Sequence, residues 1–257
     1  MIAGADLDHV AVALERWSDA WPQYVGALGG EWMGGGPDPG FAWGQIKFAN
    51  EMRLELLEPH EPERNDFLRR FLDRSGPGPH HLTFRVPDLV AGLAMVEAAG
   101  YRPVGVNLEN PSWKEAFLHP KDGPGVVVQL AQSDGAWDGP DVADIGVARG
   151  AHRASLDRIA HAVADLDDGL RLFQGLLGGG VVDAGDDEFC RWVELAWMGP
   201  GRVRLVAPAA ASSPVATWLA DRGGRVHHLA FTVPGLDRAV EVPPADNFGV
   251  RLLLSPV

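Results

Sequence analysis

The sequence predicts an α+β protein of two tandem halves, each made of paired strand-helix-strand units around curved mixed sheets, with the last unit truncated. Three observations carry this. The chain repeats itself, which fixes an architecture before any single element is assigned: Leu7-Asp8-His9-Val10-Ala11-Val12-Ala13 returns as Leu156-Asp157-Arg158-Ile159-Ala160-His161-Ala162, Arg158 standing 149 positions after His9. The repeated segments alternate with the period of a strand. Finally, the stretch from His81 to Gln129 takes 48 residues, whereas its repeat from His228 to about Leu253 takes only 25, so roughly two strands' worth of chain is missing.

In order along the first half, the pattern predicts a strand over about 7–14 and a helix over Asp19 to Leu28. Trp17, Trp21, Tyr24 and Leu28 have helical spacing there, and Pro22 falls in the first turn if Ser18 or Asp19 caps it. Strands follow over about 41–49 and 52–58, then a helix over Glu63 to Arg74. A second unit begins with a strand at His80, continues with a helix over Asp88 to Ala99, and ends with strands near 113–119 and 125–131. Gly34-Gly35-Gly36-Pro37-Asp38-Pro39-Gly40 reads as a flexible connection or a mobile lid, and Gly29-Gly30 and Gly178-Gly179-Gly180 as helix C-caps. Further repeats place the second half: Leu54-Glu55-Leu56-Leu57-Glu58-Pro59 returns as Val203-Arg204-Leu205-Val206-Ala207-Pro208, and His80-His81-Leu82-Thr83-Phe84 as His227-His228-Leu229-Ala230-Phe231. The Asp- and Gly-rich stretch between the halves is a linker, giving domains 1–132 and 153–257 joined by 133–152.

Composition bounds the function. A net charge of −13 and the lack of any basic run argue against a nucleic-acid partner. No apolar stretch approaches the roughly 20 residues needed to span a bilayer, and no secretory signal is visible, so the expectation is a cytoplasmic protein without membrane contact. The lone Cys190 reads as a small core residue in a reducing compartment.

Strand alternation then picks out four side chains. Val10, Val12 and Leu14 form one face of the first strand and leave His9 on the other with Ala11 and Ala13. Glu55 lies between Leu54 and Leu56; His81 shares a face with Thr83 and Arg85; Gln129 lies opposite Val126, Val128 and Leu130. Two imidazoles, a carboxylate and an amide oxygen suit a divalent metal ion such as Zn, Ni, Co, Mn or Fe with positions left for water or substrate. The same residues equally suit two half-buried, hydrogen-bonded histidines, a solvated glutamate and a lining amide. Trp43 and Trp113 lie on predicted strands where they can stack on a ligand, whereas Trp17, Trp21 and Trp218 have core spacing. Arg85 can hold a substrate carboxylate or be spent in an ion pair.

The runs quoted above, with Ala116-Phe117-Leu118-His119-Pro120-Lys121 leading to Gly125-Val126-Val127-Val128-Gln129-Leu130, resemble the vicinal oxygen chelate superfamily of glyoxalases, bleomycin resistance proteins and extradiol dioxygenases over residues 7–132. Within it the first half is most similar to methylmalonyl-CoA epimerases. The resemblance implies βαβββ units, and places His9, Glu55 and His81 at metal-ligand positions, with His80 structural. It implies a lyase or isomerase that enolises next to a carbonyl, on an acyl-CoA or other thioester. Two departures matter: Gln129 stands where the epimerase pattern has a ligand glutamate, and Phe41 to Phe48 offers only Gln45 and Lys47 where a catalytic carboxylate is expected. The base is then either Glu55, if it leaves the metal, or a group carried by the substrate, with Gln45 a substrate contact. In the second half, His9, Glu55, His81 and Gln129 are matched by Arg158, Arg204, His228 and about Leu253, and the two arginines would repel a cation. That half is expected to be a structural or a substrate-shaping partner. The alternative is a metal-free binding protein of the bleomycin-resistance type that uses the tryptophans to sequester a small molecule. The sequence leaves the assembly open, a homodimer included.

Overall fold

The computed structural model describes residues 1–133, 145–220 and 224–257; most of the expected linker, residues 134–144, lies outside them. The first half supplies β1 (Asp6–Ala13), β2 (Glu31–Asp38), β3 (Gly40–Lys47), β4 (Arg53–His60), β5 (Gly78–Arg85), β6 (Pro103–Asn107), β7 (Trp113–Leu118) and β8 (Val127–Ser133). They form one mixed sheet in the order β2-β3-β4-β1-β5-β8-β7-β6. The pairs β1–β4 and β5–β8 are parallel, and the outer hairpins are antiparallel. The second half supplies β9 (Ser155–Val163), β10 (Gly180–Asp186), β11 (Cys190–Ala196), β12 (Arg202–Pro208), β13 (Gly224–Thr232), β14 (Val240–Val242) and β15 (Leu252–Ser255), ordered β10-β11-β12-β9-β13-β15-β14. The expected α+β architecture of tandem βαβββ halves is therefore the one found.

Helices α1 (Phe67–Ser75), α2 (Leu89–Ala98), α3 (Leu166–Leu170) and α4 (Pro214–Leu219) cover the strands. The carboxylate of Asp88 caps α2 by accepting the Ala91 N–H, and Asp165 caps α3 by accepting from Asp167. On β1, Val10 and Val12 are fully buried on one face, and on the other Ala11 and Ala13 are small because α1 packs there, setting Leu68 and Leu72 against them and Leu57.

Three expectations need correction. The helix expected over Asp19 to Leu28 is a 3-10 turn (Trp17–Ala20) followed by a π turn (Pro22–Ala27), and neither Ser18 nor Asp19 caps it. Pro22 has no N–H to give, so the first turn closes separately; Arg171 replaces it in the second half, and there the corresponding turn is the α-helical α3. The run Gly34 to Asp38 is neither lid nor loose connection but the greater part of β2, paired with β3 from Gly34↔Gln45 to Asp38↔Phe41. Its glycines serve packing: a Cβ on Gly35 would lie 2.2 Å from the Trp43 carbonyl oxygen. Last, what the fourth unit lacks is one strand and a helix rather than two strands, since β13-β15-β14 repeats β5-β8-β7 while α2 and β6 have no counterpart among the described residues.

By internal contacts the chain groups into two units, and each combines a module of one half with a module of the other. One holds β1 from His9 onward through β4 with β15 and most of β13; there Phe48 meets Phe231 edge-on at 4.9 Å, and Asn247 Nδ2 donates to the buried Tyr24 hydroxyl at 3.0 Å. The other holds β5 from His81 onward through β8 with most of β9 and β10 to β12; there Phe84 packs on Phe173 and Trp197, and His161 Nε2 donates to the Pro124 carbonyl at 2.7 Å.

Candidate metal centre

On β1 and β4 the parallel register sets Ala11 beside Glu55 and Ala13 beside Leu57, so His9 and Glu55 continue the face that α1 covers. His9 is completely buried, and its Nε2 lies 3.4 Å from Glu55 Oε2. Across the next hairpin Gln45 pairs with Glu55 and is itself buried. Trp43 pairs with Leu57 and packs against the α1 cluster, so this ring is part of the core.

On β5, β8 and β7 a second polar row appears: Thr83 pairs with Gln129, and Gln129 with Phe117. Thr83 Oγ1 donates to Gln129 Oε1 at 2.6 Å, and Gln129 Nε2 donates to Glu115 Oε2 at 2.7 Å. The same Glu115 oxygen accepts the Trp113 indole N–H at 3.1 Å. His81 lies edge-on to Phe117. Arg85 lies 3.9 Å from the Asp8 carboxylate and donates to the Ser133 carbonyl, the ion-pair use of that side chain. His80, half-buried against Phe67 and Phe71, has its pKa pushed down to about 4 by desolvation, as suits a structural imidazole.

The structure brings three of the expected ligands, His9, Glu55 and His81, together: each offers a donor atom, and these atoms all lie within 4.8 Å of one another. They sit on β1, β4 and β5, neighbours in the strand order. Two imidazoles and a carboxylate are a donor set that a borderline divalent ion accepts, so the residues fit such a group. Gln129 is engaged by Thr83 and Glu115. Sequence reading missed Glu115, although the alternation that selected the other strands puts Trp113, Glu115 and Phe117 on one face of β7.

The second half shows what replaced this constellation. Arg158, Arg204 and Glu194 occupy the positions 149 after His9, Glu55 and Gln45. Glu194 Oε2 accepts from Arg204 Nε at 2.7 Å and lies 3.2 Å from Arg158, while Arg204 also reaches Asp183 at 2.9 Å. The guanidinium of Arg204 lies 5.6 Å from the Trp192 ring centroid. The carboxylate has moved across the hairpin from the β4 position to the β3 position, and the two arginines seen in sequence are compensated. On β13 and β15, Ala230 pairs with Leu253 where the first half pairs Thr83 with Gln129. Among the described residues, His9, Glu55 and His81 form the group of metal-capable side chains, and the second half does not repeat it.

The Glyoxalase/Bleomycin resistance protein/Dioxygenase superfamily matches residues 8–117 and 157–256. An ethylmalonyl-CoA/methylmalonyl-CoA epimerase of Cereibacter sphaeroides is 32% identical over 133 residues, which are 49% of this chain and 96% of the relative. Methylmalonyl-CoA epimerase from Mycobacterium tuberculosis aligns at 26% identity and a TM-score of 0.46, over 52% of this chain and 93% of that one. A hypothetical protein from Staphylococcus aureus, 9% identical, has the fold across both halves, with a TM-score of 0.66 over 98% of this chain and 100% of its own. No helix among the described residues is long and apolar enough to cross a membrane.

Proposed function

The chain belongs to the Glyoxalase/Bleomycin resistance protein/Dioxygenase superfamily, and from that premise we propose that its first half is a metal-dependent isomerase or lyase that moves a proton on the carbon next to the carbonyl of an acyl-CoA or other thioester. The observation that carries this reading is the convergence of His9, Glu55 and His81. An ion bound there supplies Lewis acidity to neighbouring substrate oxygens, where negative charge grows as the proton leaves. Glu55 is the carboxylate of the group and takes the role of base when it is not held as a ligand, because Gln45 opposite it is an amide and cannot accept a proton. His9 stands 3.4 Å from Glu55 and holds the carboxylate in place. Leu68 and Leu72, with Ala11, Ala13 and Leu57, keep the adjoining part of the face dry, which strengthens every charge interaction beside it.

Thioester substrates are supported by the Cereibacter relative, whose name gives its substrates as ethylmalonyl-CoA and methylmalonyl-CoA. The metal-free sequestering alternative is less well served. It needs Trp43 and Trp113 for stacking, and Trp43 is packed against α1 while the indole N–H of Trp113 is held by Glu115. The test is solvent exchange: in D2O, with Zn, Ni, Co, Mn or Fe restored in turn, an acyl-CoA panel should gain deuterium at the carbon next to the carbonyl. Chelation and His81→Ala should both abolish the exchange. Ligand binding unchanged in the chelated protein and in His81→Ala, with no deuterium uptake, returns the sequestering reading.

A further inference from the structure

We infer that Glu115 is a positioning residue that turns Gln129 into an oxygen donor for the metal centre, a role that rests on the metal-dependent reading above. A glutamine amide presents an oxygen on one side and an NH2 on the other, and only a partner that distinguishes them decides which faces a site. Thr83 does not distinguish them, because a hydroxyl donates or accepts as required. Glu115 does: its Oε2, 2.7 Å from Gln129 Nε2, only accepts when ionised, so the NH2 must turn toward β7 and the oxygen toward β5. That oxygen then takes the Thr83 proton at 2.6 Å with one lone pair and keeps a second for a ligand. It does so on the strand paired with β5, which carries His81 two residues before Thr83 on the same face.

The arrangement also supplies charge. Gln129 is neutral, but the carboxylate at its far end draws on the N–H and makes the amide oxygen more basic, as outer partners of metal ligands generally do. The indole N–H of Trp113 fixes Glu115 in turn, at 3.1 Å to the same oxygen. The negative charge thus stands one strand further out, on β7 instead of β8, and acts through the amide.

The test is Co2+ binding to the full-length protein, followed by isothermal titration and by the visible spectrum of the bound ion. Glu115→Gln should weaken Co2+ by about 10- to 100-fold, the range for loss of an outer partner. The exchanged double variant Glu115→Gln/Gln129→Glu should regain most of that loss, because a carboxylate on β8 can accept from both Thr83 and an amide on β7. Equal affinity in wild type and Glu115→Gln overturns the role of Glu115 while leaving the metal centre standing. Absence of Co2+ binding in the wild type overturns the reading beneath it, and this inference with it. Should Glu115→Gln fail to fold by circular dichroism, the double variant decides: folded with near wild-type affinity supports the role, and folded with weak binding, or unfolded, overturns it.

Discussion

At the scale of single residues, Glu55 and His161 make the sharpest predictions. Glu55→Gln keeps an oxygen donor beside His9 but removes the base, so thioester proton exchange should fall by 100-fold or more, about the worth of a positioned base. Bound Co2+, read by titration, should weaken as well, because the group loses its carboxylate donor, so the exchange rates are compared at saturating Co2+. His161 predicts a pH dependence of stability. It is fully buried, and desolvation pushes its pKa down to about 4 against the opposing hydrogen bond to the Pro124 carbonyl. Because that carbonyl only accepts, Nε2 carries the proton, and the buried Nδ1 has no partner to receive another. The unfolded chain takes up a proton near the ordinary value of 6.5 and the folded one only near 4. The stabilisation is therefore whole above pH 6.5 and is lost as the pH falls toward 4. Urea unfolding at pH 7 and pH 5 should show the loss, and His161→Gln, which keeps a donor for Pro124 without titrating, should reduce it, leaving the share of His80, whose pKa is lowered in the same way.

At the scale of elements, β2 and β3 show what packing can do that pattern does not disclose. Three successive glycines and two prolines read locally as a connection, because Gly and Pro are depleted in strands for reasons of entropy and lost donors. The strand forms because Trp32 lies edge-on to Trp17 and Trp21, and glycine is the residue that lets these rings and the β3 backbone approach. Gly35→Ala, whose Cβ would stand 2.2 Å from a backbone oxygen, should cost about 2 kcal/mol by overpacking. Gly36→Ala, with nothing nearer than 3.8 Å, should be close to neutral in the same thermal melt. In contrast, His9, Glu55 and His81 were legible because each interrupts an alternating apolar run, and the repeat placed their strands. Glu115 and Glu194 were not, since each earns its meaning from a partner on a neighbouring strand that no local pattern names. Glu194→Ala should expose this for the second half: with its side chain only 8% exposed, it leaves Arg158 and Arg204 facing each other, and stability should drop by roughly 3 kcal/mol, the low end for breaking a buried pair because both arginines retain some water.

At the scale of the whole molecule, the two contact units each draw one module from either half, so neither half alone contains a complete unit. A fragment of residues 1–132 would expose Phe48 and Phe84, which the intact chain covers with Phe231 and with Phe173 and Trp197. Sedimentation of that fragment should show self-association, and added 153–257 should convert it to a one-to-one complex. The covalent link between the halves also changes what each is free to become. Two separate copies would have to find one another in dilute solution and would be held to one sequence, every change appearing twice. Joined end to end, the halves meet at an effective concentration set by the tether, whatever the abundance of the protein, and each mutates alone. Symmetry has become optional: one half can trade a helix, a strand and a donor set for arginines while still completing the units that carry His9 and His81.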